Sequence, residues 1–524
     1  MIGLRQAPVR PDMSMSGYDI VVVGAGSAGS VVAARLSEHA SCKVALVEAG
    51  DMPSDPDIQN PLMWPLLQGR AYDWNYHTVV QSGTAGRQHR WPRGRIVGGS
   101  SCLHAMAHVR GHPDDFDTWS DAGGPQWSYA GLLQAFRRSE NFSGGTSDVH
   151  GSGGPLDVVL PDAAISPVVR DYMAAAEAIG IPRLGDHNGR QLAGTAANSL
   201  TLRAGRRLSV AEAYLTPALS RSNLSVVTGS ITERIVFDRA RAIGLSIVRA
   251  GRREFIAADV IVVCAGSIGS PVLLMRSGIG DQSMLAACGI TCIDYRPAVG
   301  RNLHDHLLAF GNIYRSSKHV PPSKLQHSES LTYLHSGNLS SVDGSPDAVV
   351  ACAVVPIFSD AFTPTAGLGE AFTLLCGFTH PTSRGTLTLT SADPLAAPLI
   401  DPAYLATEAD RNALRASLKI AREIGRTAPL TGWIADEILP GVGCASDASL
   451  DAFLAQAVST HHHPVGTCRM GSDERSVVDG SLRLRNSDNV FVVDASIIPT
   501  IPSGPVNASI VAIAEKWTER EFPR

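Results

Sequence analysis

A mixed α/β fold containing a doubly wound, Rossmann-like domain is predicted by three observations. Tyr18 to Val23 is a continuous, largely β-branched run of the kind that sits centrally in a parallel sheet. It leads directly into Gly24-Ala25-Gly26-Ser27-Ala28-Gly29, and the small and apolar residues from Ser30 to Leu36 suit a helix packed closely on that sheet. A second strand, Lys43 to Val47, ends at Glu48 and completes a βαβ unit. With 524 residues the chain has room for two to four domains of about 100–200 residues each.

Further along, residues 52–160 are rich in Gly, Pro, Trp and Asp and read as long loops of the functional kind, with one amphipathic helix from Tyr129 to Phe136. Strands at 223–237 and Val260–Val263, the latter followed by Cys264-Ala265-Gly266, resume the first domain. The region from about 307 to 460 carries β-like stretches at 349–357, 371–378 and 386–390 and a helix over Asp410–Arg426. It has no dinucleotide signature and is the candidate substrate domain. Val490–Asp494 is again a buried-type strand, so the two ends of the chain are expected to share one sheet.

A net charge of -5 with 18% charged residues and no basic run excludes a generic nucleic-acid binder, because phosphate binding depends on concentrated Lys and Arg. The 44% hydrophobic content excludes a disordered chain. The 9 cysteines show neither metal-ligand spacing nor the density of a disulfide scaffold and read as reduced and intracellular. Residues 1–16 read as an untidy tail without the apolar core of a secretory signal, and no stretch approaches the ~20 apolar residues of a membrane span. A cytoplasmic protein that binds no membrane is the expectation.

In the Gly-x-Gly-x-x-Gly pattern the first glycine permits the turn, the second admits a pyrophosphate to the backbone, and the third lets helix and sheet approach. Gly24, Gly26 and Gly29 occupy these positions, with Ser27 and Ala28 at the helix start, where free N–H groups and the dipole favour phosphate. Glu48 follows about 24 positions after Gly24, near the ~20 expected of an acid that holds ribose hydroxyls. The pattern itself does not separate NAD from FAD.

The text that separates them is Trp91-Pro92-Arg93-Gly94-Arg95-Ile96-Val97-Gly98-Gly99-Ser100-Ser101-Cys102-Leu103-His104, together with Gly266-Ser267-Ile268-Gly269-Ser270-Pro271-Val272-Leu273-Leu274-Met275-Arg276-Ser277-Gly278-Ile279-Gly280. In these two stretches the sequence resembles the GMC (glucose-methanol-choline) family of FAD-dependent oxidoreductases. The resemblance continues through Gly300-Arg301-Asn302-Leu303-His304-Asp305-His306 and from about Ser383 to Lys516, nearly the whole chain. It implies an FAD-binding domain assembled from 17–158, 195–306 and 461–524, and a substrate domain, built on a mainly antiparallel sheet, from 159–194 and 307–460. It also implies that the Gly98-Gly99-Ser100 turn runs along the flavin and pyrophosphate, and it assigns Arg95, His104, Ala105, Ile231, Ala265, Gly266, Asp494 and Ala495 to the cofactor. Some members attach FAD covalently through a His at the position of Leu103, so non-covalent FAD is expected here. His104 replaces the commoner Asn, and His108 departs from the usual aromatic or Ala.

Alcohol oxidation by hydride transfer needs a base for the hydroxyl proton, and imidazole, with a pKa of ~6.5, suits that task. Thr460-His461-His462-His463-Pro464-Val465-Gly466-Thr467 resembles the family's active-site motif, which implies that His463 is the base. If the stretch is extended, His461 and His463 share a side and His462 faces away. A metal site is disfavoured, because adjacent residues diverge in an extended chain and no acidic or Cys cluster flanks them. His304 and His306 are expected to be structural.

The family's second active-site His or Asn is missing from Ser503-Gly504-Pro505-Val506-Asn507, where Pro505 stands in its place with neither donor nor acceptor. His461 is the expected replacement, Pro505 and Val506 are expected against the flavin, and Val506 N–H is the expected donor to its O2 edge. The implied reaction is oxidation of a primary alcohol on a small aromatic ring, with O2 as acceptor and H2O2 as product. A choline-type dehydrogenase using a quinone or dye acceptor, and a cyanohydrin lyase with structural FAD, use the same framework and stay open on sequence alone.

Overall fold

The computed structural model describes residues 17–523, so the expected tail at 1–16 lies outside the described residues. β1 (Tyr18–Val23), α1 (Ser27–Leu36) and β2 (Val44–Val47) form the βαβ unit where the sequence places it. Ile20, Val21, Val22 and Val23 are all buried, as required of a strand covered on both faces. Parallel neighbours flank the pair: Leu224–Val227 runs beside β2, and the C-terminal half of Arg252–Val263 runs beside β1. The late strand Val490–Val492 pairs in parallel with Ile261–Val263, so the two ends of the chain do share one sheet.

The strand expected at Val260–Val263 is the end of a longer one. Its first half, Arg252–Ala257, pairs antiparallel with Gly244–Arg249, which in turn pairs with Ser230–Asp238. One strand therefore joins a parallel sheet to an antiparallel one, giving a 7-stranded sheet in total. The stretch 223–237 accordingly splits in two, with Gly229 at φ 59 turning the chain between the two ladders.

The second sheet has 8 strands, and every pairing within it is antiparallel. Ala371–Phe378 and Ala348–Ala353 lie at its centre, and all their residues are buried. Gly194–Ala197 also pairs in this sheet, straddling the boundary drawn at 194/195. The stretch at 386–390 instead forms a separate two-stranded ribbon with Leu399–Asp401. The helix expected at Asp410–Arg426 spans Glu408–Gly425, started by Thr407, whose side chain accepts from Asp410 N–H. It lays Leu414, Leu418, Ala421 and Ile424 on this sheet, each large side chain contributing about 1.5–3 kcal/mol by burial. No described helix is long and apolar enough to cross a membrane.

Two buried carboxylates tie the parts together. Glu515, on the C-terminal helix Val506–Glu521, accepts from Arg35, Arg138 and Tyr214. Asp115 accepts from Ser503 N–H at 2.8 Å and from His112 N–H at 2.8 Å, while its other oxygen meets Ser345 and His380, beside strands of the second sheet.

The first and third glycines of the turn are demanded by packing alone. Gly24 has φ 97, and a Cβ there would lie 2.6 Å from the Cys264 carbonyl; a Cβ on Gly29 would lie 1.8 Å from the Gly24 carbonyl. Gly26 differs, because a Cβ there meets nothing within 4 Å. Gly29→Ala is therefore expected to destabilise the apoprotein by about 1–3 kcal/mol in urea denaturation. Gly26→Ala should stay within about 0.5 kcal/mol of the parent in the same measurement.

Candidate active site and cofactor cavity

A cavity of about 1140 Å³ runs from the end of β2 to the His461–His463 segment. It is larger than the ~300–1,000 Å³ of an ordinary small-ligand pocket, as needed for an extended cofactor and a substrate together. Of the residues the sequence assigns to the site, Gly24, Gly26, Ser27, Ala28, Glu48, Gly99, Ser100, His104, Ala105, Ile231, Ala265, Gly266, His461, His463, Asp494, Ala495, Pro505 and Val506 all border it.

Three others, Gly29, Arg95 and Gly98, do not border it. Gly29 packs α1 against the β1 turn, Arg95 lies over the Trp74 ring, and a Cβ on Gly98 would lie 2.6 Å from Cys102 Sγ. Asp494 acts through its neighbours, since its oxygens accept from Gly266 N–H (2.8 Å), Ser270 Oγ (2.5 Å), and Ser496 N–H (2.8 Å) and Oγ (2.6 Å).

The chemistry of this wall fits FAD. α1 begins at Gly26 without a side-chain cap, so its first N–H groups and positive dipole end face the open space over Gly26. Glu48 is fixed at the end of β2 by Ala25 N–H and Gly50 N–H, both at 2.8 Å, and each oxygen keeps a lone pair for a hydroxyl. The C-terminal helix starts at Val506 behind an equally uncapped Pro505, and Asn507 accepts from Ser27 Oγ at 2.7 Å, bringing the two helix starts together. His104 receives Met106 N–H on Nδ1, but its buried Nε2 has no partner among the described residues, an orphan a bound ligand could satisfy.

The histidine segment is placed by strand pairing. Leu307–Ala309 pairs antiparallel with Val458–Thr460, Leu307 opposite Thr460, and the ladder continues as His461 N–H donates to the His306 carbonyl at 2.8 Å. His304 and Val465 pair again beyond. Asp305 alone thus faces His462, His463 and Pro464, which bulge toward the cavity. Its buried carboxylate holds the bulge: Oδ1 accepts from His463 N–H at 2.7 Å, and Oδ2 accepts from Thr460 Oγ1 and Tyr404 Oη, both at 2.6 Å. Burial raises the Asp305 pKa, while these donors and the Arg93 charge oppose the rise.

His461 and His463 do share a side, their ring centroids 4.4 Å apart, although the backbone is not simply extended. His462 adopts φ 67, and this left-handed residue also puts it on the cavity wall rather than away from it. Its carbonyl accepts from Arg93 at 3.2 Å, while Nε and the other terminal nitrogen of Arg93 are buried without partners among the described residues. Burial pushes His461 and His462 down to about 3, and burial with the neighbouring His461, His306 and His462 rings and Arg93 puts His463 well below the usual imidazole value. All three are neutral at pH 7.

His306 was expected to be structural, yet its Nδ1 lies 3.0 Å from His463 Nδ1. His306, His461 and His463 each offer a ring nitrogen within 4.8 Å of the others, a grouping able to hold a metal ion. Spacing within the His-His-His run could not show it, because the third imidazole comes from a distant segment. Asp305, Tyr404 and Arg93 were missed for the same reason, although His304-Asp305-His306 was visible as a motif.

Sequence profiles of GMC oxidoreductases match residues 18–308 and 381–514. The chain is 48% identical over 506 residues to pyridoxine 4-oxidase of Microbacterium luteolum, covering 96% of this chain and 99% of that protein. It is 36% identical to human mitochondrial choline dehydrogenase, covering 98% and 91% of the two. Its fold matches the crystal structure of pyridoxine 4-oxidase from Mesorbium loti with a TM-score of 0.95 and 48% identity, over 97% of this chain and 99% of that one. The dinucleotide turn, the cavity and these matches agree, and the chain belongs to the GMC oxidoreductase family of FAD-dependent enzymes.

Proposed function

We propose that the protein oxidises a primary alcohol on a small aromatic ring to the aldehyde, with pyridoxine as substrate, pyridoxal as product and O2 reduced to H2O2. The observation that carries the reading is the pair of neutral imidazoles, His461 and His463, side by side on the wall of the cavity. The 48% identity to pyridoxine 4-oxidase supports this substrate over an aliphatic alcohol.

FAD, when bound, supplies the hydride acceptor. Glu48 would hold its ribose, the α1 N-terminus its pyrophosphate, and Val506 N–H the pyrimidine edge of its ring. Leu103, buried beside His104, offers no nucleophile for covalent attachment. His463 takes the hydroxyl proton, and its neutrality means that it is ready to do so without first losing one. His461 has no protein partner for either ring nitrogen among the described residues and is free to bond the substrate oxygen. Pro505 contributes shape only, lining the cavity at the helix start with a side chain that is neither donor nor acceptor. The 9 free cysteines fit a reducing cytoplasm.

The deciding experiment is anaerobic mixing with pyridoxine, followed by admission of air. Bleaching of the oxidised flavin band, then recovery with one peroxide per pyridoxal, is expected, and acid denaturation should release all the FAD. Bleaching with choline but not pyridoxine would replace the substrate; no bleaching with any alcohol, alongside cyanohydrin cleavage, would replace the reaction.

His463→Ala should retain FAD and reduce it about 10²–10⁴-fold more slowly in stopped flow. The pH dependence of that reduction follows from burial. A base whose pKa is depressed is protonated only below that lowered value, so the rate constant should stay flat from pH 8 down to about 6, with no break at the ~6.5 of a solvated imidazole. Gly26→Ala should weaken FAD binding while leaving the apoprotein as stable as the parent, measured by titration of apoprotein with FAD.

A further inference from the structure

Nε2 of His306 lies 2.8 Å from the Thr379 carbonyl oxygen. A carbonyl oxygen only accepts, so this nitrogen carries the ring proton. Burial holds the His306 imidazole neutral, pushing it down to about 3, and its Nδ1 is therefore a bare acceptor. Nδ1 of His463 stands 3.0 Å from it. Two bare nitrogens at that distance would repel, so His463 keeps its own proton on Nδ1 and donates it to His306. The other ring nitrogen of His463, Nε2, is left with a lone pair and has no protein partner among the described residues.

We infer that His306 is a positioning residue for His463: anchored by Thr379, it holds the Nδ1–H tautomer and ring angle that present Nε2 of His463 to the substrate hydroxyl. The rings meet at 83° with centroids 5.3 Å apart, the edge arrangement an N–H···N bond in one ring's plane produces. Strand pairing places them, since His306 is the residue opposite His461 where the Leu307–Ala309 ladder ends, and Asp305 draws the His463 backbone back toward it. The inference rests on His463 being the base. In the step it serves, the O–H bond breaks with its proton passing to Nε2, and the C–H bond breaks with its electron pair leaving as hydride to the flavin. The residue orienting a catalytic imidazole is usually a carboxylate or a backbone carbonyl; here a neutral imidazole relays the carbonyl's orientation without bringing a charge into the cavity.

The test compares two substitutions in the FAD-loaded enzyme by anaerobic stopped flow with pyridoxine. His306→Leu fills the volume but removes the acceptor; it should bind FAD and substrate within about twofold of the parent and reduce the flavin about 100-fold more slowly. His306→Asn, whose Oδ1 can accept where Nδ1 did, should recover at least about tenfold of that loss. Equal loss in both variants, or an undiminished rate in His306→Leu, overturns the inference. Should His306→Leu fail to hold FAD, His306→Gln replaces it, with its oxygen carried past the Nδ1 position: a slow Gln and a fast Asn support the inference, and equal rates overturn it. His463→Ala separates this from the base assignment, since a rapid His463→Ala removes the base itself, whereas a slow one beside a normal His306→Leu removes only the positioning role. Activity lost on dialysis against a chelator and restored by Zn2+ would assign the three imidazoles to a metal and also overturn it.

Discussion

The buried carboxylate of Asp305 is the constraint around which the active end of the cavity is built. A carboxylate removed from water is costly unless its oxygens are bonded, and here three donors from two segments converge on it: Tyr404 from one, and Thr460 and the His463 backbone from the other. Each bond also fixes something else. Tyr404 receives Trp91 Nε1–H on the same hydroxyl, which ties the start of the Trp91–His104 stretch to the histidine bulge. Loss of the carboxylate would free the bulge and leave Tyr404 and Thr460 without their acceptor.

Around that anchor the site is assembled from two sheets with different tasks. The parallel sheet delivers the ends of β1 and β2, where the tight turn, the uncapped helix and Glu48 lie together because parallel strands finish on one edge. The antiparallel sheet delivers the edge ladder that brings 304–309 beside 458–465. Asp115 bridges the two by holding Ser503, just before the C-terminal helix, and His380, just after the central strand Ala371–Phe378, on opposite oxygens. Rigid elements thus carry the side chains at the active end of the cavity and fix them relative to the dinucleotide turn.

The electrostatics follow from enclosure. Four imidazoles lie close together here, His461, His462 and His463 on the wall and His306 beside His463, and crowding with burial holds all of them neutral. Arg93, with guanidinium nitrogens buried beside this segment, reinforces that neutrality by disfavouring protonation of His462 and His463. A wall of neutral imidazoles with one fixed positive charge suits a reaction in which the substrate oxygen gains negative character.

The sequence by itself determined the βαβ unit, the glycine turn, Glu48, the sharing of one sheet by both chain ends, and the pairing of His461 with His463. These are local matters: a six-residue turn or a three-residue run carries its own backbone preferences and side-chain chemistry. Only the tertiary structure decided that Gly29, Arg95 and Gly98 do not border the cavity, that His462 joins its wall through a left-handed backbone, and that His306 meets His463. His306 and His463 are separated by 157 positions, and no pattern in either segment encodes the ladder that joins them. Strand pairing and the desolvation of Asp305 settle such contacts, and both are properties of the packed chain.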